Sequence, residues 1–143
     1  MEKPMISIRR VAGLCFLLPG LVWAELTPEQ EAARTEGIKQ YNMMRGFIAK
    51  PYLEIAAQAG DGESQYYLAE YIRRAKSYIT PEAQALYEAA AAKGDVHAMM
   101  RLADKREDLC HIMENCPPDL KTPEQWLAMA RSLAKERASQ GNA

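Results

Sequence analysis

The stretch TPEAQALYEAAAAKGD, residues 80–95, decides the fold, because it predicts one complete α-helix with both ends marked. Thr80 is a favourable N-cap, since its hydroxyl can accept a hydrogen bond from a first-turn amide, and Pro81 suits the first helical position. Gly94 suits the left-handed residue that closes a helix. One apolar stripe at helical spacing runs between these signals and predicts a single buried face: Ala83, Leu86, Tyr87, Ala90 and Ala91.

Parts of this helix recur earlier in the chain at an offset of 34 residues. The segment AAQAGD at 56–61 matches AAAKGD at 90–95. In both copies a small residue, a leucine and an alanine follow the glycine at the same distances, namely Ser64, Leu68 and Ala69, then Ala98, Leu102 and Ala103. A third, partial copy closes the chain at 137–143. This internal repeat indicates a protein built from stacked units.

Helical periodicity extends along almost the whole chain, and no segment shows sustained alternation of apolar and polar residues. The pattern predicts six helices, at about 28–49, 52–59, 63–74, 80–93, 96–106 and from 122 onward. The first should bury Ile38, Tyr41, Met44, Phe47 and Ile48, and the last should bury Trp126, Met129, Ala130, Leu133 and Ala134. Paired as hairpins at about 28–59, 62–93 and 95–140, the helices predict an all-α fold, a short right-handed α-solenoid of about three helical hairpins.

The repeated residues resemble Sel1-like repeats, which are relatives of the tetratricopeptide repeats. The resemblance covers roughly residues 50–105 and rests on an alanine-rich helix that ends in glycine, followed by a small residue, a leucine and a small residue. The loop 75–79 departs from the family pattern, because it contains no glycine. The resemblance implies a helical solenoid that binds proteins or peptides, and some exported bacterial members act as adaptors or immunity proteins.

The first 24 residues read as a secretory signal peptide, with cations at Lys3, Arg9 and Arg10 before an apolar run at 11–23. Cleavage is expected near Ala24, which would leave one domain at 25–143 in the periplasm or outside a bacterial cell. The alternative is an uncleaved membrane anchor, although the run is short for a membrane span. The remaining chain has a net charge of about −3, which argues against nucleic acid as a partner.

Two cysteines remain in the predicted mature chain, Cys110 and Cys116. An even pair in an exported protein favours a disulfide that pins the long insert before the last helix. A metal site that adds His97 and His111 is a weaker alternative, because the spacing matches no zinc signature. A Cys110–His111 nucleophile pair is weaker still, because no third group orients it. We therefore predict no metal and no cofactor.

Four tyrosines cluster within thirteen residues of the third helix and the loop after it, with basic residues between them. Exposed tyrosine and arginine are favoured at protein interfaces, because they give a large contact area at a small cost in rotamer entropy. The alternative is that these tyrosines only fill gaps between hairpins. The predicted binding residues are Tyr66, Tyr67, Tyr71, Arg73 and Arg74.

These features predict an exported protein–protein interaction module, a periplasmic adaptor or scaffold, and not an enzyme. An immunity protein that neutralises a toxin is the alternative, and a hydrolase acting on cell-wall or β-lactam substrates is a weaker one. No glycine-rich phosphate loop or serine nucleophile elbow occurs in the sequence. The partner is expected to be a protein or peptide, with no nucleic acid and no stable membrane insertion after signal cleavage.

Overall fold

The computed structural model describes residues 25–104, 106, 109–114 and 119–141. The predicted signal peptide and Cys116 lie outside the described residues. Within them the chain forms helices and no β-strand, which confirms the all-α class. The helices are α1 (Pro28–Asn42), α2 (Gly46–Gln58), α3 (Gly62–Lys76), α4 (Pro81–Ala92), α5 (Val96–Leu102), α6 (Leu109–Ile112) and α7 (Pro123–Ser139).

The helices pack as three successive hairpins. Within the hairpins, α1 packs on α2, α3 packs on α4, and α5 packs on α7. Contacts between α2 and α3 and between α4 and α5 join each hairpin to the next. Helix α6 is a single turn within the insert between α5 and α7. This order confirms the predicted stack of helical hairpins.

The predicted repeat is present in atomic detail at both junctions between hairpins. Gly60 and Gly94 are left-handed, with φ of +92° and +84°. The aspartate after each glycine caps the next helix: the Asp61 carboxylate accepts from the Ser64 amide at 2.7 Å, and the Asp95 carboxylate accepts from the Ala98 amide at 2.8 Å. The same local chemistry therefore turns the chain at both junctions.

Helix α4 forms as the sequence predicts. The Thr80 hydroxyl accepts a hydrogen bond from the Ala83 amide at 3.1 Å, and Pro81 occupies the first helical position. Most of the predicted stripe is buried, and Leu86 packs against the core from a half-buried position. Helices α1 and α7 also begin where the sequence predicts, and in each the threonine before the helix, Thr27 or Thr122, forms a capping box.

The predicted end of the first helix is wrong. Helix α1 ends at Asn42, and Met44 adopts a left-handed conformation with φ of 61° before α2 begins at Gly46. The second helix, predicted at about 52–59, therefore begins earlier, and Pro51 lies inside it. The periodic residues Met44, Phe47 and Ile48 are therefore exposed, and only Ile38 and Tyr41 of the predicted stripe pack against the core.

Close contacts that sequence periodicity does not reveal explain this early turn. A Cβ placed on Gly37 would lie 2.9 Å from Leu53 Cδ2, so α1 and α2 approach closely there. A Cβ on Gly46 would lie 2.7 Å from Tyr71 Cδ2, so the start of α2 fits beneath that ring. Burial of Leu53 across the hairpin thus outweighs continuation of one long amphipathic helix.

Two smaller predictions about helices are also wrong. Helix α5 ends at Leu102, four residues before the predicted end, because the Asp104 carboxylate accepts hydrogen bonds from the amide and guanidinium of Arg106 and so favours a turn. Met129 and Ala134 of α7 are exposed rather than buried. The last helix buries a narrower stripe around Trp126, because its main neighbour is α5.

The core passes through all three hairpins without interruption. Alanines at contact positions let the helices approach closely, and Leu53 and Tyr87 are the largest fully buried hydrophobic side chains. None of the helices in the described part of the chain is both long and apolar enough to cross a membrane.

Replacing Ser77 with glycine should stabilise the protein. Ser77 closes α3 in a left-handed conformation with φ of 64°, which costs a residue with a Cβ more than it costs glycine. We expect the free energy of unfolding in urea to rise by about 0.5–1 kcal/mol. Ser132→Gly, at an exposed position inside α7, is the matched control and should lower it. Equal effects of the two changes would contradict the role assigned to the backbone at Ser77.

Candidate functional site

A row of aromatic rings crosses α1, α3 and α5, one helix from each hairpin. Tyr41 of α1 lies 5.0 Å from Tyr67 of α3 between ring centroids. Tyr67 is 5.4 Å from Tyr66, and Tyr66 is 5.9 Å from the ring of His97 on α5. The Arg74 guanidinium lies over the Tyr41 ring, 5.4 Å from its centroid. We call these five residues the aromatic row.

The aromatic row presents both apolar and polar groups to solvent. Its three tyrosines are half-buried, whereas His97 and Arg74 at its two ends are exposed. Burial raises the pKa of the Tyr41 hydroxyl, and the Arg74 charge opposes part of that rise. Burial, together with the Glu70 charge, also raises the pKa of Tyr66. Both hydroxyls therefore stay protonated at neutral pH. The Tyr41 hydroxyl is itself buried, so the polar groups that the row presents to solvent include its exposed ends, the Arg74 guanidinium and the His97 ring.

The structure brings three of the five predicted binding residues together and places the other two elsewhere. Tyr66, Tyr67 and Arg74 come together in the aromatic row. Tyr71 lies against Gly46 at the start of α2. Arg73 is only 9% exposed and pairs with Glu70 in the interior. The surface formed by α3 is thus narrower than the sequence suggested, because neighbours surround α3 on most of its circumference.

Behind the row, the buried carboxylate of Glu70 joins three helices. It accepts hydrogen bonds from Arg73 Nη2 of α3 at 2.9 Å, from the Tyr87 hydroxyl of α4 at 2.7 Å, and from Arg101 Nε of α5 at 2.7 Å. Burial alone would raise the pKa of Glu70, but these hydrogen bonds and the Arg101 charge outweigh it and hold the pKa below its usual value. Burial and the hydrogen bond to Glu70 raise the pKa of Tyr87. The second and third hairpins are therefore joined by a charged cluster.

Sequence reasoning missed Glu70 as a structural residue and both Tyr41 and His97 as members of the row. Glu70 lies four positions after Tyr66 and three after Tyr67, which puts it on their side of α3. That spacing is the one available signal. Which side of α3 faces α5 depends on packing between hairpins, so the sequence did not identify its partners.

The stability of the protein should depend on pH through Glu70. The pKa of the Glu70 carboxyl is lower in the folded protein than in the unfolded chain, so its ionisation stabilises the folded state. This stabilisation is complete above the unfolded pKa of about 4.3 and is lost as the pH falls through the folded pKa. Urea unfolding of the parent and of Glu70→Gln at several pH values should show the largest difference near neutrality. We expect that difference to shrink below about pH 4.3, while other carboxylates titrate alike in both proteins. If the free energies of unfolding of the two proteins changed in parallel from neutral pH down to strong acid, this role of Glu70 would be contradicted.

The cysteine insert is only partly described. Cys110 is disulfide-bonded, and its Sγ lies 3.8 Å from His111 Nδ1. Because Cys116 lies outside the described residues, the Cys110–Cys116 pairing stays a prediction. The residues that the structure describes contain no group of three or more His, Cys, Asp or Glu side chains that could hold a metal ion.

The fold places the protein in the class of all-α proteins built from repeated helical hairpins. Comparison with protein-family models, curated proteins and solved structures found no match to this chain.

Proposed function

We propose that this chain is an exported bacterial protein-binding module, an adaptor or scaffold of Sel1-like type, and not an enzyme. Its partner is a protein or peptide segment that lies along the aromatic row. The observation that carries the proposal is the row itself, which presents closely spaced rings across one helix of each hairpin.

The chemistry of the row suits a polypeptide partner. Half-buried tyrosine rings are held in place by their neighbours, so they lose little further side-chain entropy when a partner contacts them. His97 and Arg74 supply polar contacts at opposite ends of the row. A segment that lies along the row would contact all three hairpins, because the row crosses α1, α3 and α5.

The resemblance to Sel1-like repeats supports the same proposal. The matching turns at Gly60–Asp61 and Gly94–Asp95 repeat at the spacing that carries the resemblance. As part of this proposal, the signal peptide is cleaved near Ala24, and the Cys110–Cys116 disulfide forms outside the cytoplasm. An immunity protein is a special case of the proposal, distinguished by very tight binding to one toxin.

The test is capture of a partner from cell-envelope extract by the tagged chain. The chain is expressed from its full sequence and purified with the processing and disulfide state that it acquires in the cell. The informative variant is Arg74→Ala combined with His97→Ala, because both side chains are exposed and their removal should leave the fold intact. We expect one stoichiometric partner, bound at least ~10-fold more weakly by the variant, since truncating a hot-spot residue typically costs about 2 kcal/mol or more and about 1.4 kcal/mol corresponds to a factor of ten.

Arg131→Ala combined with Lys135→Ala is the matched control, because it removes two exposed basic side chains from α7. This control should bind the partner as the parent does. If both variants bound the partner equally well, the aromatic row would not be the surface that contacts it. Turnover of a β-lactam or peptidoglycan fragment by the purified chain would favour the hydrolase instead.

A further inference from the structure

Helix α2 exposes an apolar surface that neither the core nor the aromatic row uses. Phe47 is 84% exposed, Ile55 is 49% exposed, and Ile48 and Tyr52 are also exposed. Together with the exposed Pro51, these residues recur at the spacing of one helix face. We call this set of five residues the α2 outer face. It contains no charged residue, although the solvent-facing side of a helix is usually polar.

The adjoining turn extends the apolar surface. Met44 is 81% exposed and is held there by a left-handed backbone, and Met43 beside it is also exposed. An exposed apolar surface of this extent typically marks an interaction site. Helix α1, by contrast, exposes mainly polar and charged residues. The first hairpin therefore has one solvated helix and one helix whose outer face favours a partner.

The charges at the edge of the α2 outer face complement those of a second copy of this chain. Lys50 and Glu54 lie on the same edge and form an ion pair with each other, and each side chain remains more than a third exposed. When two copies of α2 run antiparallel about a two-fold axis near 51–52, the same edges of both helices meet. Lys50 of one copy then lies beside Glu54 of the other, and each cation can exchange its intrachain partner for an interchain one.

We propose that two copies of this chain associate through antiparallel packing of their α2 outer faces. The same register places Ile48 of one copy opposite Ile55 of the other, with Pro51 and Tyr52 at the centre. The contact is isologous, so it closes at a dimer, and it pairs Lys50 of each copy with Glu54 of the other. It uses a different surface from the aromatic row, and it does not depend on the proposed function.

Sedimentation velocity over a range of micromolar concentrations tests the proposal. The protein is the full chain, purified with the processing and disulfide state that it acquires in the cell. We expect a concentration-dependent monomer–dimer equilibrium. Ile48→Glu combined with Ile55→Glu should give a monomer with unchanged helicity, because both positions are exposed in the single chain. Met113→Glu, at another exposed methionine, is the control and should dimerise as the parent does.

A charge exchange tests the register without changing the apolar residues. Lys50→Glu places two like charges side by side across the interface and should weaken the dimer ~10-fold or more. Lys50→Glu combined with Glu54→Lys should restore it. A parent chain that stays monomeric at all concentrations overturns the proposal, as does a dimer that keeps its affinity in the Ile48→Glu/Ile55→Glu variant. A monomer that instead binds lipid vesicles through Phe47 would assign the face to a membrane surface and also overturn it.

Discussion

Replacing Glu70 with alanine is expected to lower the free energy of unfolding by about 3–5 kcal/mol. The carboxylate is 3% exposed in its ion pair with Arg73 and accepts the Tyr87 hydroxyl at 2.7 Å. Tyr87 is fully buried, so its hydroxyl loses its acceptor in a site that water does not reach. The measurement is equilibrium unfolding in urea at neutral pH, followed by circular dichroism.

Two further variants make this result interpretable. Glu70→Gln keeps the shape and one acceptor oxygen, so it should cost less than the alanine. Glu82→Ala removes an exposed carboxylate from the first turn of α4 and should cost about 0.3–1 kcal/mol. If Glu70→Ala were no more destabilising than Glu82→Ala, the charged cluster would not be what joins the second and third hairpins.

Replacing Leu53 with alanine is expected to cost about 2–5 kcal/mol, the range for a buried leucine that leaves a cavity. Leu53 is fully buried and contacts Gly37 across the first hairpin. Neighbouring atoms have little freedom to fill the space, because α1 and α2 already approach closely there. Thermal and urea unfolding of the variant should both report the loss.

Phe47→Ala is the matched control for this prediction, since it removes a larger apolar side chain from the same helix. Phe47 is 84% exposed, so the control should leave the free energy of unfolding of a single chain almost unchanged. The helical stripe expected from the sequence predicts the opposite for this residue. A large loss for Phe47→Ala with a small loss for Leu53→Ala would contradict the observed turn at 43–45.

The sequence by itself determined the elements whose ends are locally encoded. Thr80 and Gly94 mark their helix through hydrogen bonds and a backbone conformation that involve near neighbours alone. The repeat at 34 residues likewise predicted both junctions, because Gly60 and Asp61 act through the same local contacts. The all-α class and the order of hairpins followed from these signals.

Only the tertiary structure decided which apolar and charged residues lie inside. The stripe through Phe47 has helical spacing, yet close approach of Gly37 to Leu53 turns the chain first and leaves Phe47 in solvent. Glu70 is buried because Arg101 and Tyr87, from later helices, supply its hydrogen bonds. Such contacts join residues far apart in the chain, and their free energies exist only once the hairpins have stacked.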